Sequence, residues 1–403
     1  MLTDKQKQLI SIHKHGKLKR INLLEGSVRS GKTWISLLLW AFWVADMPAN
    51  GEFLMVAKTL TSLSRNCLNL LQNMIGSNNF TYSLSKKEAR LFGRLVYLEG
   101  VNDSRAESKI RGMTLTGAYC DEVTLFTEDF FTMLLSRLSV KNAKLIATTN
   151  PDSPYHWLME KYINRQDELN MMVMKFLIDD NTFLDPEYVK QLKIEYTGVF
   201  YDRFILGLWR IAEGLIYDMF DEKEHTFSET PEQLTGKRYI SCDYGTQNAT
   251  VFLFWEEGKS GKWYCTKEYY YSGRDKQRQK TDEEYCDDLI DFIGNKQIAG
   301  FIVDPSAASF IAAVRKRKIH VIKANNDVIN GIRTTGALIK LSKVAISTNC
   351  SNTIKEFFGY VWDAKAGESG EDRPVKVSDH GMDAMRYFCY TMLRGKTGLS
   401  TLK

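Results

Sequence analysis

Gly26-Ser27-Val28-Arg29-Ser30-Gly31-Lys32-Thr33 decides how the N-terminal half of the chain reads. The eight residues fit G-x-x-x-x-G-K-[ST], follow the apolar run Ile21-Asn22-Leu23-Leu24 and precede Trp34-Ile35-Ser36-Leu37-Leu38-Leu39. Strand, glycine-rich turn and helix in that order are the context a P-loop requires. Backbone amides and the helix N-terminus cradle phosphates, Lys32 neutralises β/γ charge, and the Thr33 hydroxyl is placed to hold Mg²⁺. Outward from this loop, Phe53-Leu54-Met55-Val56-Ala57, Leu115-Thr116-Gly117-Ala118-Tyr119-Cys120 and Lys144-Leu145-Ile146-Ala147-Thr148-Thr149 read as further buried strands separated by amphipathic stretches. That alternation predicts a parallel α/β sheet, whose ligands gather where strands end.

A P-loop ATPase also needs one carboxylate for the Mg²⁺ water shell and another to orient the attacking water, on a neighbouring strand. Cys120-Asp121-Glu122 supplies both: Asp121 takes the metal role and Glu122 the water-activating role. The next strand ends Thr148-Thr149-Asn150-Pro151, beside the expected γ-phosphate, so Thr149 and Asn150 are candidate sensors of hydrolysis. Arg105, Lys109 and Arg111 precede the acidic strand, and Arg111 is placed for an arginine finger acting on its own or a neighbour's nucleotide.

From about residue 154 to 209 the pattern turns helical and aromatic, with Pro186-Glu187 opening one helix. After Glu213-Gly214 a second core begins: β-rich runs at 238–243, 250–256 and 262–271, an acidic amphipathic segment near 281–295, then Phe301-Ile302-Val303 and further α/β alternation. Gly367-Glu368-Ser369-Gly370-Glu371-Asp372 reads as a flexible loop. Asp243 and Asp304 each follow an apolar strand, and Ser378-Asp379-His380-Gly381-Met382-Asp383 opens a helix with Asp379 and Asp383 on one face. Separated carboxylates on a hairpin-first core are what a two-metal nuclease needs, and once brought together they repel unless cations neutralise them. The metal set is Asp243, Asp304 and Asp383, with His380 tuning proton transfer or ordering water. Basic clusters at Lys14, Lys17, Lys19 and Arg20, at Arg274, Lys276, Arg278 and Lys280, and at Arg315, Lys316, Arg317 and Lys318 suit phosphate tracking without sequence readout.

Composition sets the class. With 403 residues, 44% hydrophobic, 26% charged and a net charge of +5, collagen-like and disordered chains are excluded. No apolar run approaches the roughly 20 residues that cross a bilayer, and the polar Met1-Leu2-Thr3-Asp4-Lys5-Gln6 start does not resemble a signal peptide. A chain made without export, with its seven scattered cysteines reduced, is the expectation.

Gln6, the P-loop, the Asp-Glu pair, Thr148-Thr149-Asn150-Pro151, Gly207-Leu208-Trp209, Glu213-Gly214-Leu215-Ile216-Tyr217 and the later aspartates together resemble the large terminase subunit of tailed bacteriophages, of the compact kind found in phages and prophages of Gram-positive bacteria. The resemblance spans nearly the whole chain. It implies a P-loop ATPase domain over 1–210, including a helical linker at about 154–210, and a ribonuclease H-like (integrase-type) nuclease with a mixed sheet over 211–403. The implied activity is ATP-driven movement of double-stranded DNA into a procapsid through the portal protein, with metal-dependent cutting of concatemeric DNA. A small terminase subunit, a portal-docked ring, usually pentameric, and the cytoplasm of an infected bacterium come with it, and no membrane. Mg²⁺ serves the ATPase site and Mg²⁺ or Mn²⁺ the nuclease. Gln6 matches the family's adenine-contacting position, Arg111 the region of its arginine finger, and Asn150 its coupling motif. Cys120 departs from the bulkier aliphatic common before the acidic pair. A host helicase-nuclease or repair ATPase is the alternative in enzyme class, although no second helicase sheet is apparent. A catalytically dead DNA- or portal-binding C-terminal module is the other.

Overall fold

Ile21–Gly26 forms β1, buried at every position, because helices cover both faces of its sheet. Successive residues of a strand point to opposite faces: Leu24 of β1 and Phe53, Met55 and Ala57 of β2 (Glu52–Ala57) pack in one core with helix Lys32–Asp46. Ile21 and Leu23, with Leu54 and Val56, pack in another against helix Glu128–Arg137. The structure, a computed structural model, describes residues 2–47, 51–101, 106–245 and 248–396. It divides the chain into two compact units, 1–189 with 201–211 and 368–371, and 190–200 with 212–367 and 372–403.

The first unit is built on one sheet. Besides β1 and β2 it contains β3 (Phe80–Ser83), β4 (Glu88–Leu91), β5 (Arg94–Gly100), β6 (Leu115–Cys120), β7 (Lys144–Thr149) and β8 (Met171–Phe176), in the order β3-β4-β5-β2-β6-β7-β1-β8. The run from β5 to β8 is parallel, and β3 and β4 add an antiparallel edge. Two sequence expectations change here. The acidic strand β6 is not next to the P-loop strand, because β7 lies between them and carries Thr149 to the same edge. The stretch expected to be helical contains β8, which pairs with β1 along its whole length. Pro186–Glu195 is a helix as anticipated.

In the second unit, β9 (Thr226–Phe227), β10 (Leu234–Asp243), β11 (Ala249–Gly258), β12 (Trp263–Ser272), β13 (Gly300–Val303), β14 (Val321–Lys323) and β15 (Val344–Ser347) take the order β14-β13-β10-β11-β12-β15-β9. β11 is antiparallel to both neighbours, whereas β13 and β14 continue parallel to β10. A meander followed by two parallel strands on the first strand's free side is the ribonuclease H-like topology. Helices Asp282–Ile293 and Ala308–Lys316 cover one face. Helix His380–Met392 covers the other, with Phe388 stacked on Trp255 at 4.3 Å. The expected loop at 367–372 begins inside a short helix, Ala364–Glu368. All seven cysteines are buried and free, and no helix among the described residues is long and apolar enough to cross a membrane.

Candidate active sites

Two glycines shape the first site. Gly26 has φ +129°, and a Cβ there would lie 1.9 Å from the Phe176 carbonyl oxygen of β8; Gly31, at φ +81°, precedes helix Lys32–Asp46. The chain turns sharply between them, and the hydroxyls of Ser27 and Ser30 are buried with no hydrogen-bond partner in the protein. Buried polar atoms left unsatisfied in a loop of this shape are what a phosphate would engage. Lys32 Nζ donates to Ser27 O at 2.9 Å and to Asn150 Oδ1 at 2.6 Å. Burial pushes its pKa down to about 8, against the pull of Glu122 and Asp121.

The acidic pair meets β7 through threonines. Thr148 Oγ1 donates to Asp121 Oδ1 at 2.8 Å, and burial holds the Asp121 carboxyl above its ordinary pKa. Glu122 sits at φ +57°, a left-handed conformation that costs a non-glycine residue energy, and its N–H donates to Thr148 Oγ1 at 3.2 Å. Thr149 Oγ1 donates to Thr124 Oγ1 at 2.9 Å, so it joins the segment after Glu122. Asn150 is the residue of this motif that reaches the P-loop.

Gln6 forms a capping box with Thr3, and its Nε2 lies 3.0 Å from where a Cβ on Gly31 would stand. Arg29 and Val28 are fixed through their backbones: Asn181 Nδ2 donates to Arg29 O at 2.8 Å, and Val28 N donates to Phe204 O at 2.9 Å. Trp209 Nε1 donates to buried Glu25 Oε2 at 2.8 Å, one residue before the P-loop. Asn181, Phe204 and Trp209 were not anticipated as loop partners, since backbone contacts made from distant segments leave no local sequence pattern. Arg111 is 67% exposed and its guanidinium pairs with Glu107 at 2.8 Å, not with the P-loop. Lys109 lies 3.8 Å from Glu99; Arg105 is outside the described residues.

The second site lies at the ends of β10 and β13, whose parallel register pairs Cys242 with Val303, so Asp243 and Asp304 leave adjacent strands. A cavity of about 460 Å³ is lined by Asp243, Asp379, His380 and Asp383 among others. His380 Nδ1 lies 2.9 Å from Asp243 Oδ2. Burial holds the Asp243 carboxyl above its ordinary pKa, aided by Asp383. For His380, burial opposes the charged ring, but the Asp243 carboxylate outweighs it and raises the pKa. Asp383 Oδ1 accepts from Arg386 Nη2 at 2.9 Å, and its Oδ2 accepts from Lys376 Nζ at 2.8 Å. Asp304 does not line the cavity. Its Oδ1 accepts from Ser306 N at 2.7 Å, and its Oδ2 from Asn326 at 3.1 Å and the Tyr387 hydroxyl at 3.2 Å. These donors outweigh burial and hold its carboxyl below the ordinary value. Tyr387 contacts Asp304 of the three, and burial, then Asp243 and Asp383, then Asp304 push its hydroxyl pKa up.

The cluster is therefore not a bare set of repelling carboxylates, because Lys376 and Arg386 pair with Asp383 and His380 lies against Asp243. No three His, Cys, Asp or Glu side chains among the described residues stand together as a ready metal nest. The donor chemistry still suits a divalent ion, since carboxylate oxygens are the ligands Mg²⁺ and Mn²⁺ prefer and cations of the chain already gather there. Glu356, absent from the sequence reading, accepts from Gly381 N at 2.7 Å and Met382 N at 3.1 Å, under the first turn of the helix that carries His380 and Asp383. Burial raises its pKa to about 7. Of the basic clusters, Arg278 pairs with Glu284, Lys280 with Asp288, and Arg317 with Glu283 and Asp287, so much of their charge is spent on the acidic helix. Arg274 stands at the cavity.

A P-loop sheet ordered β8-β1-β7-β6-β2, followed in the same chain by a ribonuclease H-like sheet with carboxylates at its strand ends, defines an ATPase-nuclease. The sequence profile described as "Terminase large subunit, T4likevirus-type, N-terminal" matches residues 23–224. The large terminase of a thermophilic bacteriophage is 40% identical, over 98% of this chain and 99% of that one, with a TM-score of 0.90. The complexes of that phage protein with ADP and with ATP-gamma-S match at 40% identity, over 98% of this chain and all of that one, with TM-scores of 0.88 and 0.87. No curated protein matches. The chain belongs to the terminase large subunit family, and it functions as an ATP-dependent packaging motor with nuclease activity.

Proposed function

We propose that residues 1–210 bind and hydrolyse ATP and that residues 211–403 cut DNA, the two acting in packaging of double-stranded DNA into a procapsid. In this reading the amides of 26–33 hold the phosphates, Lys32 draws the β/γ charge, Gln6 contacts adenine, and Thr33 and Asp121 hold the metal. Glu122 orients the attacking water, with Thr149 and Asn150 reporting the state of the γ-phosphate. The observation that carries it is the meeting of three distant segments at Lys32, where Ser27 O and Asn150 Oδ1 share one ammonium in the field of Glu122 and Asp121. A γ-phosphate entering there offers the ammonium a stronger partner than a neutral amide, so Asn150 is released when ATP binds. Arg111 then serves a neighbouring subunit's nucleotide, consistent with its exposure.

In the second unit Asp243, Asp304 and Asp383 are the residues we assign to Mg²⁺ or Mn²⁺. Such ions activate water and steady the leaving oxygen of a phosphodiester. His380, held by Asp243, orders water or moves its proton. The partners in this reading are the portal protein, a small terminase subunit and further copies of the chain in a ring, in the cytoplasm of the infected bacterium and transiently on the procapsid. ATPase assays with and without linear DNA, beside plasmid nicking in Mg²⁺ and in Mn²⁺, test it. DNA-stimulated hydrolysis and metal-dependent nicking are expected; a chain that hydrolyses ATP but never nicks would make the second unit a binding module.

A further inference from the structure

Lys376 is a cation of the second site whose place suggests a temporary partner. Its Nζ lies 2.9 Å from Asp379 Oδ2 and 2.8 Å from Asp383 Oδ2, so a single ammonium bridges two carboxylates at the cavity wall that also carries Asp243. Arg386 is different. It is 2% exposed, grips Asp383 Oδ1 through Nε and Nη2, and is anchored by Nη1 to Asn326 O at 3.2 Å. Its guanidinium is fixed on three sides and leaves Asp383 Oδ2 to Lys376. The lysine side chain is half exposed at 52% and precedes helix His380–Met392, so its four-carbon stem swings into water without opening the core. Asp379 and Asp383, in contrast, are almost fully buried, and burying carboxylates without a counter-charge is costly.

We propose that Lys376 is a built-in counter-ion that occupies the place of a divalent ion between Asp379 and Asp383, and that metal enters the nuclease site by displacing it. Resting on the nuclease reading above, this adds Asp379 to the residues facing the ion and makes Lys376 a residue that sets metal affinity. An ammonium meets both oxygens with one charge, whereas Mg²⁺ or Mn²⁺ brings two charges to the same oxygens, so the exchange is favourable only when free metal is plentiful. Until an ion arrives, the ammonium supplies the counter-charge that the two buried carboxylates need.

The test is Mn²⁺ binding to the nucleotide-free full chain by isothermal titration calorimetry, with Lys376→Met and Lys376→Gln variants and Asp243→Asn as the site control. Removing a competing unit charge at this distance from a half-exposed pair predicts Mn²⁺ affinity on the order of tenfold tighter in both lysine variants. Acetylation of wild-type Lys376 by a small activated ester, read by mass spectrometry, should rise as Mn²⁺ is added, since displacement frees the amine. Mn²⁺ binding to wild type with unchanged or weaker affinity in the two folded lysine variants, or Lys376 labelling that metal does not alter, overturns the inference and leaves the nuclease reading intact. No Mn²⁺ binding in any of the proteins, or binding that Asp243→Asn does not weaken, overturns that reading as well.

Discussion

At the residue scale the roles proposed for Lys32 and Glu122 fall on different parts of ATP, so their loss should separate. Lys32→Ala removes the charge proposed to meet the phosphates and should weaken nucleotide binding and turnover together. Glu122→Gln keeps the charge-independent contacts and should still bind ATP, while hydrolysis falls by roughly 10²-fold or more. Equilibrium binding of a fluorescent ATP analogue beside steady-state turnover distinguishes the two, and a Glu122→Gln protein with near-normal turnover would remove that residue from the chemistry. Glu356 carries a pH prediction. Its pKa in the fold is raised from 4.5 to about 7, so the folded chain binds more protons than the unfolded one between those values, and stability falls as pH rises through that window. The neighbouring imidazole of His380 also has a raised pKa and acts in the same direction. Glu356→Gln isolates the carboxyl's share: wild type should lose Tm relative to the variant across the window from 4.5 to about 7 and keep a constant offset above it. Parallel Tm profiles would contradict this. The P-loop, the Asp121-Glu122 pair and Thr148-Thr149-Asn150 were legible as motifs because phosphate chemistry demands particular residue types at fixed spacing, and in the fold Lys32 meets Asn150 and Thr148 meets Asp121. Glu356, Lys376, Asn181 and Tyr387 were not, because each acts through a contact between segments far apart in the chain or outside any local pattern.

Among the elements, β1, β2, β6 and β7 were readable as buried apolar runs, and β10, β11 and β12 as β-rich runs. β8 was missed. Met171-Met172-Val173-Met174-Lys175-Phe176 is rich in methionine and only partly buried at several positions, as suits a sheet edge, and it lies among aromatic helices that obscure its period. Its position nonetheless constrains the P-loop, because the backbone of Phe176 fills the space beside Gly26. Gly26→Ala should therefore force β8 and β1 apart at the mouth of the loop, losing nucleotide binding and at least about 2 kcal/mol of stability through clash and the φ of +129° together. Thermal unfolding and ATP-analogue binding check it, and a variant that binds nucleotide normally would show that the loop does not depend on this close approach. The order of the first sheet corrects a simpler expectation: β7, between the P-loop strand and the acidic strand, is what lets Asn150 reach Lys32 and Thr148 reach Asp121. In the second unit the hairpin-first pattern was visible, but the placement of Asp304 away from the cavity was not. That depends on donors from Ser306, Asn326 and Tyr387.

For the whole molecule, two compact units with different sheets carry two sets of reactive groups, and each set is assigned one reaction. Length, composition and the order of motifs were enough to expect both units, since each needs its own run of strands and its own carboxylates. Arg111 pairs with Glu107 of its own unit and is exposed, so the role proposed for it at a neighbour's nucleotide requires a second subunit. The central claim is the division of labour, and the most direct measurement is ATP hydrolysis and Mn²⁺-dependent plasmid nicking on the same preparations of full-length wild type, Glu122→Gln and Asp243→Asn. A double dissociation is predicted: Glu122→Gln loses ATP turnover and nicks DNA like wild type, while Asp243→Asn loses nicking by orders of magnitude and hydrolyses ATP like wild type. Wild-type nicking by Asp243→Asn, or loss of both activities in either variant, would contradict it.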